Sequence, residues 1–297
     1  KKQSMENYEK QLKNKVSTKE IYYLNEGKKE YNFFRSDVED ALLHNQFDEH
    51  YVFQSPPGYG KTHTTNEVAK LNNIPLIKFE GGLGLFVFCA DVATLILNAP
   101  NDDSTIYCVF DDCDSLFDKG DEINTIKGML DSQRNVLKYG RQLGAQYNAL
   151  DDMQKAAIDS FRTEGRSGFE IPTDRLVFIT LTNKWFADAD AVDNAVDSKK
   201  SYYNDLAAIR RRTVFKEMEV ETGVSWGYCA HIFLNYPLGE KFMPSITQEQ
   251  KLEILKFTSP TNNWSKMSER NLSLFEKMVK DMVRFPDNYY DRWISQY

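Results

Sequence analysis

Histidine and cysteine are scarce in this chain, with four of each among 297 residues. His44, His50, His63 and His231 fall into no metal-ligand spacing, and Cys89, Cys108, Cys113 and Cys229 form no C-x-x-C pair. That excludes the usual zinc patterns. Two of the cysteines lie in or beside an apolar strand, where a free thiol acts as a small hydrophobe, as expected in a reducing compartment. Long apolar runs are also missing: the longest, Leu83 to Leu97, is interrupted by Asp91 and falls short of a membrane span. The charged N-terminus has no apolar signal segment, so a soluble, cytoplasmic protein with no membrane partner is expected. Basic residues are outnumbered, 37 Lys and Arg against 44 Asp and Glu, for a net charge of −7. No global basic field exists, and any nucleic-acid contact has to use a local patch or a pore.

Aromatic residues, in contrast, are plentiful, with 19 Phe and 16 Tyr in a chain that is 41% apolar. A sizeable core is available, and the length suits one large α/β domain plus a small second one. Residues 1–30 are rich in Lys, Glu, Asn and Gln and read as a solvated helix, a frayed tail or an arm that docks on a neighbouring subunit. Phe33, Phe34, Val38, Ala41, Leu42 and Leu43 give residues 32–46 the spacing of an amphipathic helix. Strands are expected at Tyr51–Gln54, Ile74–Glu80, Ile106–Phe110 and Leu176–Thr182, alternating with helices at 62–71, 86–98 and 122–137. Alternation of this kind implies a parallel sheet covered on both faces. Residues between Leu137 and Arg175 read as an insertion. After Pro244, Thr247 and Gln250 form a capping-box pattern, Ser268 is expected to open a second helix, and no strand signal follows. The expected division is an arm (1–30), an α/β core (31–243) and a small all-helical C-terminal domain (244–297).

The chemistry concentrates where the first strand ends. Ser55-Pro56-Pro57-Gly58-Tyr59-Gly60-Lys61-Thr62 has the decisive Gly-Lys-Thr of a phosphate loop, with Ser55 in place of the usual first glycine. Consecutive backbone N–H groups at a helix N-terminus bind phosphate oxygens, and Gly58 and Gly60 permit the required backbone angles. The expected nucleotide contacts run from Pro57 through Gly58, Tyr59, Gly60, Lys61 and Thr62 to His63. Lys61 reaches the β- and γ-phosphates, and the Thr62 hydroxyl ligates Mg²⁺. The second motif is Ile106-Tyr107-Cys108-Val109-Phe110-Asp111-Asp112, an apolar strand that ends in acids. Asp111 is expected at the Mg²⁺, and Asp112 stands where a water-activating carboxylate is found, one methylene shorter than the more usual Glu. Asp114 adds a third carboxylate two residues on, which reads as a helix N-cap at least as readily as a catalytic group.

These motifs together resemble the AAA+ ATPases across most of residues 50–285. The resemblance implies that Asn183, at the end of Phe178-Ile179-Thr180-Leu181-Thr182, orients the attacking water. Ala208-Ile209-Arg210-Arg211-Arg212 is similar to an arginine-finger region, with Arg211 or Arg212 reaching a neighbouring subunit's ATP. The same run also reads as a solvated helix face or a nucleic-acid contact. Met267-Ser268-Glu269-Arg270-Asn271-Leu272 resembles the start of a lid helix that points Arg270 at the nucleotide. A finger should directly precede the fifth strand, for which Thr213–Met218 and His231–Asn235 both qualify. Gly81-Gly82-Leu83-Gly84-Leu85-Phe86 reads either as a pore loop gripping a polymer through Leu85 or Phe86, or as a glycine turn followed by buried residues. Closer still is the group of AAA family ATPases common in tailed-phage genomes, which shares Val109–Ser115 and Ile126–Ser132.

The resemblance implies ATP and Mg²⁺ bound between core and lid, a homo-oligomeric ring or open ring, and a phage protein in a bacterial host. Three functions then follow: a motor acting on DNA or a nucleoprotein in replication or recombination, a slow nucleotide-gated scaffold, or a protein unfoldase.

Overall fold

The computed structural model describes residues 17–45, 48–99, 104–118, 120–131, 135–162, 167–218 and 221–296. The first sixteen residues of the expected arm, together with Gln46 and Ser132, lie outside that set. The chain divides into two compact units. A sheet unit takes Val38–Ser55 and Thr65–Glu217; a helical unit takes the residues up to Asp37, Pro56–Thr64 and the residues from Met218 onward.

In the sheet unit, β1 (Tyr51–Gln54), β2 (Leu76–Glu80), β3 (Ile106–Asp111), β6 (Leu176–Thr182) and β7 (Val214–Glu217) form one parallel sheet in the order β2-β3-β6-β1-β7. The largely apolar text of β6 is explained by its place: all seven residues, Thr180 and Thr182 included, are buried, as in a central strand covered on both faces. Val52, Phe79, Cys108, Phe110, Leu176 and Phe178 share one face and one core with Phe88 of α3 (Leu85–Asn98), Ile126 of α4 (Gly120–Met129) and Leu206 of α8 (Asp197–Arg212). Phe110 and Phe178 stack there with centroids 5.3 Å apart. Asp111 pairs with Leu181 and belongs to the other face.

Topology decides where chemistry can sit. The connection from β1 to β2 runs one way across the sheet, and those from β2 to β3, β3 to β6 and β6 to β7 run the other way. Right-handed crossovers therefore put α2 (Lys61–Leu71) on the face opposite α3, α4 and α8. Neighbouring β1 and β6 thus send their connections to opposite faces. That is a topological switch point, and ligand crevices open beyond the carboxyl ends of such strands.

Between α4 and β6 lies the insertion, built from β4 (Val136–Tyr139), α5 (Ala145–Asn148), α6 (Asp152–Ser160) and β5 (Phe169–Pro172). Its strands pair antiparallel, with Tyr139 opposite Phe169. The helix expected to reach Leu137 stops at Met129, because Val136–Tyr139 pairs as a strand and Leu137 is fully buried. Residues 213–218 supply the fifth strand as β7, and His231–Asn235 ends a helix.

In the helical unit, α9 (Thr222–Asn235) packs on the first half of α1 (Thr18–Leu43), followed in chain order by α10 (Gln248–Thr258), α11 (Leu272–Arg284) and α12 (Tyr289–Gln296). Glycine sets the α1–α9 approach. A Cβ on Gly227 would lie 1.8 Å from the Tyr23 carbonyl oxygen, and one on Gly27 would lie 2.1 Å from Gly227 backbone atoms. The expected boundary at residue 30 therefore falls inside a helix whose residues up to Asp37 belong to this unit, and the expected boundary at 243 falls after α9. Trp226, Trp264 and Trp293 are all fully buried here. The Thr247–Gln250 capping box is present. The following helix is capped by Asn271 rather than opened at Ser268: Asn271 Oδ1 accepts from Leu274 N at 3.4 Å. Among the described residues no helix is long and apolar enough to cross a membrane.

Candidate functional site

The site residues fall into two groups, one in each unit. The phosphate-loop group belongs to the helical unit. Strand β1 ends at Gln54 and α2 begins at Lys61, so six residues make the turn. Gly58 and Gly60 adopt φ of +76° and +74°, in the left-handed region that disfavours a Cβ. Gly58 has a second reason to be glycine, because a Cβ there would meet the Asn271 side chain at 2.6 Å. The Gly58 carbonyl accepts from Leu272 N at 3.0 Å, so the loop is held by the start of α11. Lys61 is 6% exposed, and its Nζ donates to the Pro56 carbonyl at 3.4 Å, folding the side chain back over the loop. Thr62 and His63 are half-buried in the first turn of α2, Pro57 is exposed, and the His63 ring meets Tyr236 edge-on at 5.2 Å.

Tyr59 turns inward. It is buried against Tyr228, with ring centroids 5.6 Å apart, and burial raises its pKa while Ser225 and Arg270 pull it down. Its side chain anchors the loop, which leaves only its backbone for a ligand. Arg270 is exposed, one residue before the Asn271 cap that touches Gly58.

The carboxylate group belongs to the sheet unit, beyond the carboxyl ends of β3 and β6. Asp111 closes β3, half-buried. Asp112 has a φ of +55°, uncommon for a side-chain-bearing residue and more readily tolerated by Asp and Asn than by most. The Asn183 amide, just past β6, donates to the Asp112 carboxylate at 2.9 Å. The structure thus brings together the two residues expected to activate and orient water, although 71 positions separate them in sequence.

Asp114 is not the helix N-cap that was one of its two readings. It is the first residue of a short 3₁₀ turn whose N-cap position, Cys113, makes no side-chain cap. Its carboxylate instead accepts from the Thr182 hydroxyl. A second network was also missed. Gln54 accepts from Phe186 N at 2.9 Å and donates to Glu217, while Arg210 donates to Glu217 at 3.4 Å and to the Phe186 carbonyl at 3.2 Å. Gln54 and Glu217 end strands β1 and β7, so register could have flagged them, but only once strand order was known.

That network separates the three arginines. Arg210 is tied to Glu217 and lies 4.2 Å from the centre of the Phe215 ring. Arg212 donates to the Ala208 carbonyl at 2.9 Å and faces Asp131 at 3.8 Å. The Arg211 side chain is exposed and makes no hydrogen bond or ion pair with the described residues. Leu85 and Phe86 are 6% and 5% exposed; Phe86 packs on Tyr139 and Phe169 of the insertion. The reading of these two as polymer-gripping residues is therefore corrected: they begin α3 as core, after a glycine turn.

All four cysteines are buried and free, and burial raises each thiol pKa, to about 12 for Cys108 and about 11 for Cys113. Among the described residues no three His, Cys, Asp or Glu side chains are grouped to hold a metal by themselves. Compared with protein-family models and with curated proteins, the chain matches none.

Proposed function

We propose that this chain is a Mg²⁺-dependent ATP hydrolase of the AAA+ type, working as an assembly of copies on a nucleic-acid or nucleoprotein substrate. The observation that carries the reading is the loop: two left-handed glycines turn the chain from a buried strand into a helix that opens with Lys61-Thr62. Amides presented this way, with an ammonium beside them, suit a polyphosphate. The acid–amide pair Asp112–Asn183 lies beyond the carboxyl ends of β3 and β6, and β6 is one of the two strands that flank the switch point.

The roles follow from residue chemistry. Loop amides and Lys61 bind the phosphates. Magnesium is held by one or two protein oxygens plus substrate phosphates, so it needs no protein cage; Thr62 and Asp111 fit that donor set. When bound, the ion neutralises phosphate charge. Asp112 accepts the proton of the attacking water and Asn183 orients it. Arg270 reads the γ-phosphate in the same copy. Arg211, exposed in the last turn of α8 immediately before β7, serves the site of another copy, where an arginine stabilises transition-state charge.

A second reading, the slow nucleotide-gated scaffold, is favoured by one observation. Asp112 is short for a water-activating base and its carboxylate is already engaged by Asn183. The test is ATP turnover against protein concentration, with and without single- and double-stranded DNA, for the wild type and Asp111→Ala. A motor shows turnover per copy that rises with concentration and with DNA and falls roughly 100-fold or more in the variant. Tight ATP binding with negligible turnover under every condition replaces the motor with the scaffold. No nucleotide binding at all ends both.

A further inference from the structure

Three consecutive residues leaving β6 are each tied to a different acid after β3. Thr182 donates its hydroxyl proton to Asp114, Asn183 donates to Asp112 at 2.9 Å, and Lys184 Nζ pairs with Asp118. The Thr182 oxygen also accepts from Lys184 N at 2.9 Å, closing a small turn around Asn183. The three ties differ in what they can hold. Asp118 is 56% exposed, and an ion pair that wet is worth little. Thr182 is fully buried, and its hydroxyl has one proton to give, which goes to a carboxylate. A charge-assisted bond from a buried donor is the strong member of the set.

Asn183 itself is exposed, so packing does not fix its side chain. The backbone on either side contributes to its direction, and the Thr182 hydroxyl bonds at that turn to Asp114 and to Lys184 N. We infer that Asp114 is a positioning residue for ATP hydrolysis. Through Thr182 it sets the turn that aims Asn183 at Asp112 and at the water they share. The inference rests on the hydrolase reading above. It gives the third acid of Asp111-Asp112-Cys113-Asp114 a purpose that helix capping does not supply.

The experiment compares wild type, Thr182→Val, Thr182→Ser, Asp114→Ala and the Thr182→Val/Asp114→Ala double variant. It reads kcat, binding of a fluorescent ATP analogue, and thermal melting. Valine keeps the buried shape and removes the hydroxyl; serine keeps the hydroxyl. Misplacement of a reacting group by about 1 Å costs roughly 100-fold, so Thr182→Val and Asp114→Ala should lower kcat about 10- to 100-fold. Analogue affinity should stay within about threefold, Thr182→Ser should retain kcat within about threefold, and the double variant should be no worse than the worse single one, since both remove the same bond.

Unchanged kcat in Thr182→Val overturns the inference and leaves the hydrolase standing. So does a fall in kcat matched by an equal loss of analogue binding, the mark of general damage. Should Asp114→Ala not fold, the Val and Ser pair at 182 decides alone. A wild type that binds the analogue without hydrolysing ATP defeats the hydrolase reading, and the positioning role with it, before any variant is compared.

Discussion

The two groups of site residues are held by opposite means. In the helical unit the loop of residues 56–62 is fixed mainly by closeness, beside the bond from Leu272 N to the Gly58 carbonyl. Gly58 sits against Asn271 with no room for a methyl, Tyr59 is buried on Tyr228, and a Cβ at Gly60 would come 3.1 Å from Leu272. In the sheet unit the residues are fixed by polar ties: Asn183 to Asp112, Thr182 to Asp114, and Gln54, Glu217 and Arg210 to one another and to the Phe186 backbone. A loop that offers backbone amides needs its path fixed and its side chains kept clear. A carboxylate–amide pair needs orientation, which only directional bonds supply. The difference implies that the helical unit fails by overpacking and the sheet unit by loss of a single donor.

Gly227→Ala probes the first half of that contrast most severely. Its Cβ meets main chain, which cannot rotate away, so a loss of about 3–5 kcal/mol is expected, at the top of the range for point substitutions. Urea unfolding followed by tryptophan fluorescence reads it selectively. Trp226, Trp264 and Trp293 are buried in the helical unit, whereas Trp185 is 45% exposed in the sheet unit. An unshifted midpoint would remove the close-approach argument.

The arginines test the second half. Arg211→Ala should lower turnover about 1,000-fold, the scale of a lost trans-acting arginine, with no change in melting. Mixing it with Lys61→Ala should recover activity, because each copy then supplies what the other lacks; failure to recover in a mixture that does assemble argues against action in trans. Arg210→Ala should behave in reverse. It breaks the Glu217 and Phe186 ties and the contact with Phe215, costing about 1–3 kcal/mol of sheet-unit stability. Equal effects of the two substitutions would erase the distinction drawn between neighbouring residues.

The smallest expected effect treats the units alike. His50 in the sheet unit and His231 in the helical unit are each lowered to about 4 by burial, with Lys28 adding to the effect at His231. His50 Nδ1 accepts from Phe178 N at 3.2 Å, which requires that nitrogen to be unprotonated. The unfolded chain takes protons near pH 6.5 that the native protein refuses. Stability is therefore full above that pH and declines as pH falls towards 4, by about 1 kcal/mol per histidine near pH 5.5. Unfolding midpoints measured along that window should show the decline, and His50→Asn should shrink it by half. A flat profile would mean that neither ring is neutral in the native state.

Much of the architecture was legible before any coordinates. Tyr51–Gln54 and Leu176–Thr182 are strands at the expected residues, because strands buried on both faces are written mostly in apolar residues. Thr247 and Gln250 cap their helix as their spacing demands. The turn at Gly58 and Gly60 was readable because a left-handed backbone selects glycine at adjacent positions. The insertion was misjudged at its start, since Val136–Tyr139 is a strand only by virtue of pairing with Phe169–Pro172, more than 30 residues later. Helix α1 was cut at its middle, because its glycines and tyrosines record a fit to α9 that no local pattern expresses.

Local periodicity, glycine placement and charge sequence thus determined that this is an α/β chain with a parallel sheet, a glycine turn leading from its first strand into a helix, and a strand ending in acids. Each of those properties depends on neighbours a few residues apart. The tertiary structure alone decided that Asp114 serves Thr182, that Arg210 is bound while Arg211 is exposed, that Phe86 is core, and that the fifth strand is Val214–Glu217. These depend on which strands lie side by side, and hydrogen-bond partners 68 or 163 positions apart leave no periodic trace in a sequence.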